Sequence, residues 1–87
     1  MQQIGGTFRR AGQAVSGRAE VFLVVDPAQW YGSFVLPAEA ELWEPGAYHL
    51  ELAGGRHGDV TVSRVRLMQC GKAGGFTGSG PLMEPRE

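Results

Sequence analysis

His49, His57 and Cys70 are the side chains of this sequence best suited to chemistry near neutral pH. Imidazole changes charge close to neutrality and ligates metals, and a thiolate serves as nucleophile or ligand. A metal centre needs three or four His, Cys, Asp or Glu donors converging on one point. This chain has two histidines, one cysteine and scattered carboxylates, with no paired spacing such as Cys-x-x-Cys. His49 is expected to point outward from a strand and His57 to sit in a glycine loop, both in solvent. Neither a metal nor a cofactor is expected.

Cys70, beside Gly71 at a strand end, becomes a nucleophile only if an imidazole activates it. A lone cysteine in a small apolar domain reads instead as a small buried hydrophobe. Ser16, Ser33, Ser63 and Ser79 lie in no nucleophile-elbow motif. The run Gly54-Gly55-Arg56-His57-Gly58 offers main-chain N–H groups and a cation, the parts of an anion nest. A glycine-rich hairpin turn accounts for the same residues without a ligand. No catalytic residue is assigned, and an enzyme is not expected.

The basic residues suggest a different chemistry. Lys72 is the single lysine among eight basic residues, and the rest are arginine. Arginine forks match phosphate oxygens, although a bias in base composition gives the same preference. Arg9, Arg10, Arg18, Arg64 and Arg66, with Tyr31 and Trp43 as exposed aromatics, would form the surface of a nucleic-acid-binding barrel. Against that reading, Glu39, Glu41, Glu44, Glu51 and Asp59 make the middle of the chain acidic. The formal net charge is −1, so no global field attracts a polyanion. Arg9-Arg10 ahead of a barrel invites comparison with the PilZ cyclic-dinucleotide receptors. Those also carry an Asp/Asn-x-Ser-x-x-Gly motif on a strand, which this sequence lacks, and no family is assigned.

The elements that must position these residues are short and extended. Eighty-seven residues with fourteen glycines and five prolines favour one domain of short strands and tight turns. Gly17 to Val25 reads as a strand apolar on both faces, which predicts a central strand covered on both sides. Ile4 to Arg10 is an earlier candidate. Asp26-Pro27-Ala28-Gln29 is a turn, with Asp26 capping it. Trp30 to Leu36 alternates, with Trp30, Gly32, Phe34 and Leu36 on one face and Tyr31, Ser33 and Val35 on the other. Gly32 within the apolar face predicts a bend or a close backbone approach.

Residues 39–44 read as a short strand with Leu42 inward, or else as one helical turn. Pro45-Gly46 predicts a type II turn. Tyr48, Leu50 and Leu52 are expected inward on the next strand, and Asp59 to Met68 forms the longest one. Val60 and Val62 share a parity that Val65 and Leu67 break, which predicts a β-bulge near Ser63-Arg64. Gly71 to Gly75 reads as a flexible link before a last short strand at Phe76 to Leu82.

The fold class is therefore all-β, a small antiparallel barrel or sandwich of about six strands with at most one short helical turn. Residues 1–82 form the domain and 83–87 a disordered tail. The expected function is a non-enzymatic module that binds a protein partner or self-associates. Tyr31, Val35 and Trp43 are its candidate contacts, and an open barrel edge is its means of strand addition. The alternative is nucleic-acid binding through the arginines. The longest apolar run, Val21 to Val25, is too short to span a bilayer, and no secretory leader is read at Met1. No membrane partner is expected, and the cytoplasm is the expected compartment.

Overall fold

A computed structural model describes residues 1–69 and 71–85. It is all-β: β1 (Gln2–Arg10), β2 (Gln13–Ala14), β3 (Ala19–Val25), β4 (Trp30–Leu36), β5 (Gly46–Leu52), β6 (His57–Met68) and β7 (Gly71–Gly78). Six of these strands close into an antiparallel barrel in the order β1-β3-β4-β7-β6-β5, and β5 returns to β1. The closure uses β1 twice. Its first half pairs with β3 from Gln2 to Gly6, and its second half pairs with β5 from Gly6 to Arg9. The two-residue β2 folds back on the end of β1 through Ala11 and Gly12, both at positive φ (52° and 80°). That pair of left-handed residues is the backbone requirement of a type I′ hairpin.

Alternation along the strands fills the interior. Phe8, Val21, Leu23, Trp30, Phe34, Leu50, Val60, Val62 and Phe76 are all buried. Phe8 is the hub, with ring centroids 4.7 Å from Phe34, 6.2 Å from Phe76 and 6.4 Å from Tyr48. Glycines make room for these rings. A methyl group on Gly74 would lie 2.7 Å from the Phe34 ring, and one on Gly78 would enter the Trp30 indole. At Gly32 it would collide with the Phe22 carbonyl, the close approach that the sequence predicts. Trp30 also donates its indole N–H to the Gly80 carbonyl at 2.7 Å, satisfying its polar end.

The predicted bulge is present. The β6–β7 register shifts between Val62 and Arg64, leaving Ser63 as the extra residue. Val62 and Val65 can therefore both turn toward the core despite their opposite parity. Asp26 accepts main-chain N–H groups from Ala28 and Gln29 at 2.9 and 2.8 Å, which holds the β3–β4 turn as expected.

Five expectations change. Gly71 to Gly75 is not a link but most of β7, seated between β4 and β6. Its glycines are the small half of a large-on-small packing with Phe34 and Trp30, which local propensity does not reveal. Residues 39–44 are neither strand nor helix; Leu42 nevertheless plugs the core from an irregular segment. Gly46, at φ 141°, opens β5 rather than completing a type II turn. Phe22 and Val24 are half-buried, because the outer side of β3 has no covering layer. Met83 exchanges two main-chain hydrogen bonds with His57, at 3.0 and 2.7 Å, instead of starting a loose tail. Residues 86–87 lie outside the described residues.

Candidate functional site

Strand register builds one composite outer face from residues far apart in sequence. In one row Glu20 faces Val35, Val35 faces Ala73, and Ala73 faces Arg66. The next row runs Phe22, Ser33, Gly75, Arg64, and the third runs Val24, Tyr31, Thr77, Thr61. Residues directly opposite in a ladder share a face, so each row points away from the core. β3 and β4 supply the apolar part, with Tyr31 and Val35 exposed (38% and 40%) beside the half-buried Phe22 and Val24. β6 supplies two exposed arginines, and Met68 is exposed beyond them. Between the two walls, the small residues of β7 floor an open cleft of about 420 Å³ lined by Val35, Arg64, Arg66 and Met68.

The structure thus joins Tyr31 and Val35, read as protein contacts, to Arg64 and Arg66, read as nucleic-acid contacts. It does not join the others to them. Arg9 lies on β1, with an ion pair to Glu51 at 3.2 Å and a hydrogen bond to the Gly12 carbonyl. Arg10 pairs with Glu44 at 3.4 Å and lies over the Tyr48 ring. Arg18 packs against Gly5 in the β2–β3 connection. Among the described residues, neither Arg64 nor Arg66 has a carboxylate within ion-pair distance.

Trp43 is half-exposed (52%), but its ring is already engaged. The ammonium of Lys72, a fully buried residue, lies 3.5 Å from the ring centroid. The same ammonium donates to the Ala40 carbonyl. Lys72 occupies an inward position of β7 and closes one end of the core with the 37–45 segment. Its stem packs as an aliphatic rod while Trp43 and Ala40 take the charge. Nothing in the local sequence singles out a lysine for the interior, so this role was not legible.

The histidines also depart from expectation. His49 and Asp59 face each other across the β5–β6 ladder, as do Glu51 and His57. Asp59 Oδ1 lies 2.9 Å from His49 Nδ1, and His49 Nε2 lies 3.1 Å from His57 Nδ1. They are not two isolated solvent-exposed rings but a linked Asp–His–His chain, and both rings are half-buried. The signal was present in the alternation. Positions 49 and 51 share one face of their strand and 57 and 59 share one face of theirs, but only the register places the faces together. His49, Glu51 and Asp59 line an open cleft of about 600 Å³ with Arg9 and Arg10. Arg9 with Glu51 and His49 with Asp59 are paired within the cleft, whereas among the described residues the β6 arginines have no such partner.

The remaining candidates are structural. In the glycine loop, the Gly55 N–H donates to the Leu52 carbonyl and the His57 N–H to the Met83 carbonyl, both at 3.0 Å. Ser16 is buried, accepting from the Phe8 N–H at 3.0 Å and donating to the Gly17 carbonyl. Cys70 lies outside the described residues. Among the described residues no helix is long and apolar enough to cross a membrane. No protein-family model matches the chain, and neither the curated proteins nor the solved structures contain a match to it.

Proposed function

We propose that this protein is a non-enzymatic binding module that holds a protein partner on the outer face of β3, β4, β7 and β6. The observation that carries the reading is the register, which sets exposed apolar side chains beside two arginines across a floor of small residues. Such a surface fits a segment that carries apolar side chains and carboxylates: Val35 and Tyr31 take the former, Arg64 and Arg66 the latter. Barrel closure changes the mode of binding expected from an open edge. No barrel strand is an edge along its whole length, although β6 beyond Val62 pairs with β7 alone, so side chains supply most of the contacts.

Tyr31 beside Arg64 and Arg66 also has the composition of a single-strand nucleic-acid platform. Of the N-terminal arginines that would extend it, Arg9 and Arg10 are tied to Glu51 and Glu44 elsewhere, which favours the protein reading.

The test is capture from native lysate on the tagged chain, with and without nuclease, alongside the variants Arg64→Glu with Arg66→Glu and Val35→Asp. Retention of a defined protein through nuclease treatment is expected. Reversing both arginines should weaken it on the order of 100-fold, since each lost or reversed charge pair costs a kcal/mol or more. Retention unchanged in both variants would overturn the face. Binding of a single-stranded oligonucleotide that falls steeply with salt would replace the protein reading with the nucleic-acid one.

A further inference from the structure

The outer surface of the β5–β6 hairpin carries four potential metal ligands in two cross-strand pairs, His49–Asp59 and Glu51–His57. We propose that His49 Nε2 and His57 Nδ1 chelate a borderline divalent transition-metal ion there, with Asp59 as the carboxylate that orients His49. The proposal does not rest on the protein-binding face, which uses β6 only from Thr61 onward, with β3, β4 and β7.

Three features point to it. The first is the spacing. With metal–imidazole bonds of about 2.0–2.1 Å, nitrogens 3.1 Å apart subtend roughly 100° at an ion between them. That angle falls between the cis angle of tetragonal sites and the tetrahedral angle, so the spacing suits an ion once each ring tilts by roughly 40° off the line of the hydrogen bond.

The second is the tautomer. An ionised carboxylate can only accept, so Asp59 Oδ1, 2.9 Å from His49 Nδ1, favours the proton on that nitrogen and leaves Nε2, 3.1 Å from His57 Nδ1, as the donor atom for an ion. A carboxylate holding the far nitrogen of a ligating histidine is the usual outer partner of a metal-bound imidazole, fixing ring orientation and raising basicity.

The third is the ladder. Glu51 stands opposite His57 on the same outward face, at the separation of a directly paired residue. It pairs with Arg9 at 3.2 Å and is half-exposed, so it is held only by a surface ion pair. It is the candidate third ligand, with water completing the shell.

Among the described residues no three such side chains already converge on one point. The site is therefore a two-nitrogen chelate that recruits its remaining ligands. Without metal, the two rings share a hydrogen bond in which His57 Nδ1 carries the proton. The ion replaces that proton, which moves to His57 Nε2 through solvent. Imidazole donors select zinc, copper or nickel over magnesium or calcium. Since protons compete for the same lone pairs, affinity falls as the pH is lowered.

The experiment is calorimetric titration of the full chain carrying Cys70→Ser, which removes the competing thiol, with Zn²⁺, Ni²⁺ and Cu²⁺ separately. Saturable one-to-one binding is expected, tightest for Cu²⁺. His49→Gln and His57→Gln should each weaken it at least tenfold, and Asp59→Asn by about tenfold. Imidazole ¹⁵N spectra of the Cys70→Ser chain with Zn²⁺ should show His49 protonated on Nδ1, with Nε2 and His57 Nδ1 shifted on coordination. Those spectra decide the matter even where a substitution disturbs folding. Absence of saturable binding, or binding that survives both histidine substitutions, would overturn the site.

Discussion

Gly32→Ala is expected to destabilise the barrel by about 3 kcal/mol or more, at the upper end of overpacking costs. The added methyl would meet the Phe22 carbonyl oxygen inside van der Waals contact and the Phe76 ring at 3.1 Å. Neither neighbour can yield cheaply. The Phe22 carbonyl belongs to the β3–β4 ladder, in which Gly32 itself faces Leu23. The Phe76 ring is fixed between Phe34 and Trp30, with centroids at 6.5 and 6.1 Å. A domain of this size has total stability toward the lower part of a range of about 5–15 kcal/mol, so the loss is a large share of it. Gly17→Ala is the matched control, because nothing lies within 4 Å of its added methyl. It should change stability by no more than about 0.5 kcal/mol. Urea denaturation of the three proteins reads the difference, and equal midpoints for Gly32→Ala and the parent would show that the approach is not tight.

Lys72 gives the second large effect, through a pair of substitutions. Lys72→Ala should cost about 2–4 kcal/mol, as for other long buried side chains cut to a methyl. Lys72→Met keeps the stem volume and should cost less than about 1.5 kcal/mol, or stabilise the fold. The residue is fully buried, and the contacts described for its charged end are one carbonyl and one ring face. Removing the ammonium from the interior relieves its desolvation and gives up those two contacts, so the opposing contributions nearly offset. The aliphatic stem has no such compensation.

Trp43 completes the cycle. Trp43→Ala should cost about 1–2 kcal/mol in the parent, the range of a partly desolvated cation–π pair, and clearly less beside Lys72→Met. Equal costs in both backgrounds would show that Trp43 does not shelter the charge. If Lys72→Met instead costs as much as Lys72→Ala, the ammonium itself holds the 37–45 segment in place.

Much of the candidate surface could be read without coordinates, but not its unity. Alternation in Trp30–Leu36 put Tyr31 and Val35 on the outside, and the basic pattern marked Arg64 and Arg66. These residues lie about thirty positions apart, and only the insertion of β7 between β4 and β6 makes them neighbours. The same holds for the histidines. His49 could be placed on its strand and His57 only in the glycine loop, and the hydrogen bond between them depends on a hairpin register that carries β6 back to His57.

What the sequence determined by itself is local and periodic. Side chains of a strand alternate between faces, so the inward identities of Trp30, Phe34, Tyr48, Leu50 and Val62 followed from residue type alone. A break in that alternation demanded a bulge near Ser63-Arg64, because a regular strand puts Val60 and Val62 on the face opposite Val65 and Leu67. Turn residues with special backbone needs, such as Asp26 with Pro27, declared themselves for the same reason. The tertiary structure decided everything that depends on which strands meet. Closure through β1, the strand role of Gly71–Gly78 and the burial of Lys72 are consequences of pairing between distant segments. Pairing is selected by the fit of large rings against glycines across the barrel, an energy that belongs to no single stretch of chain.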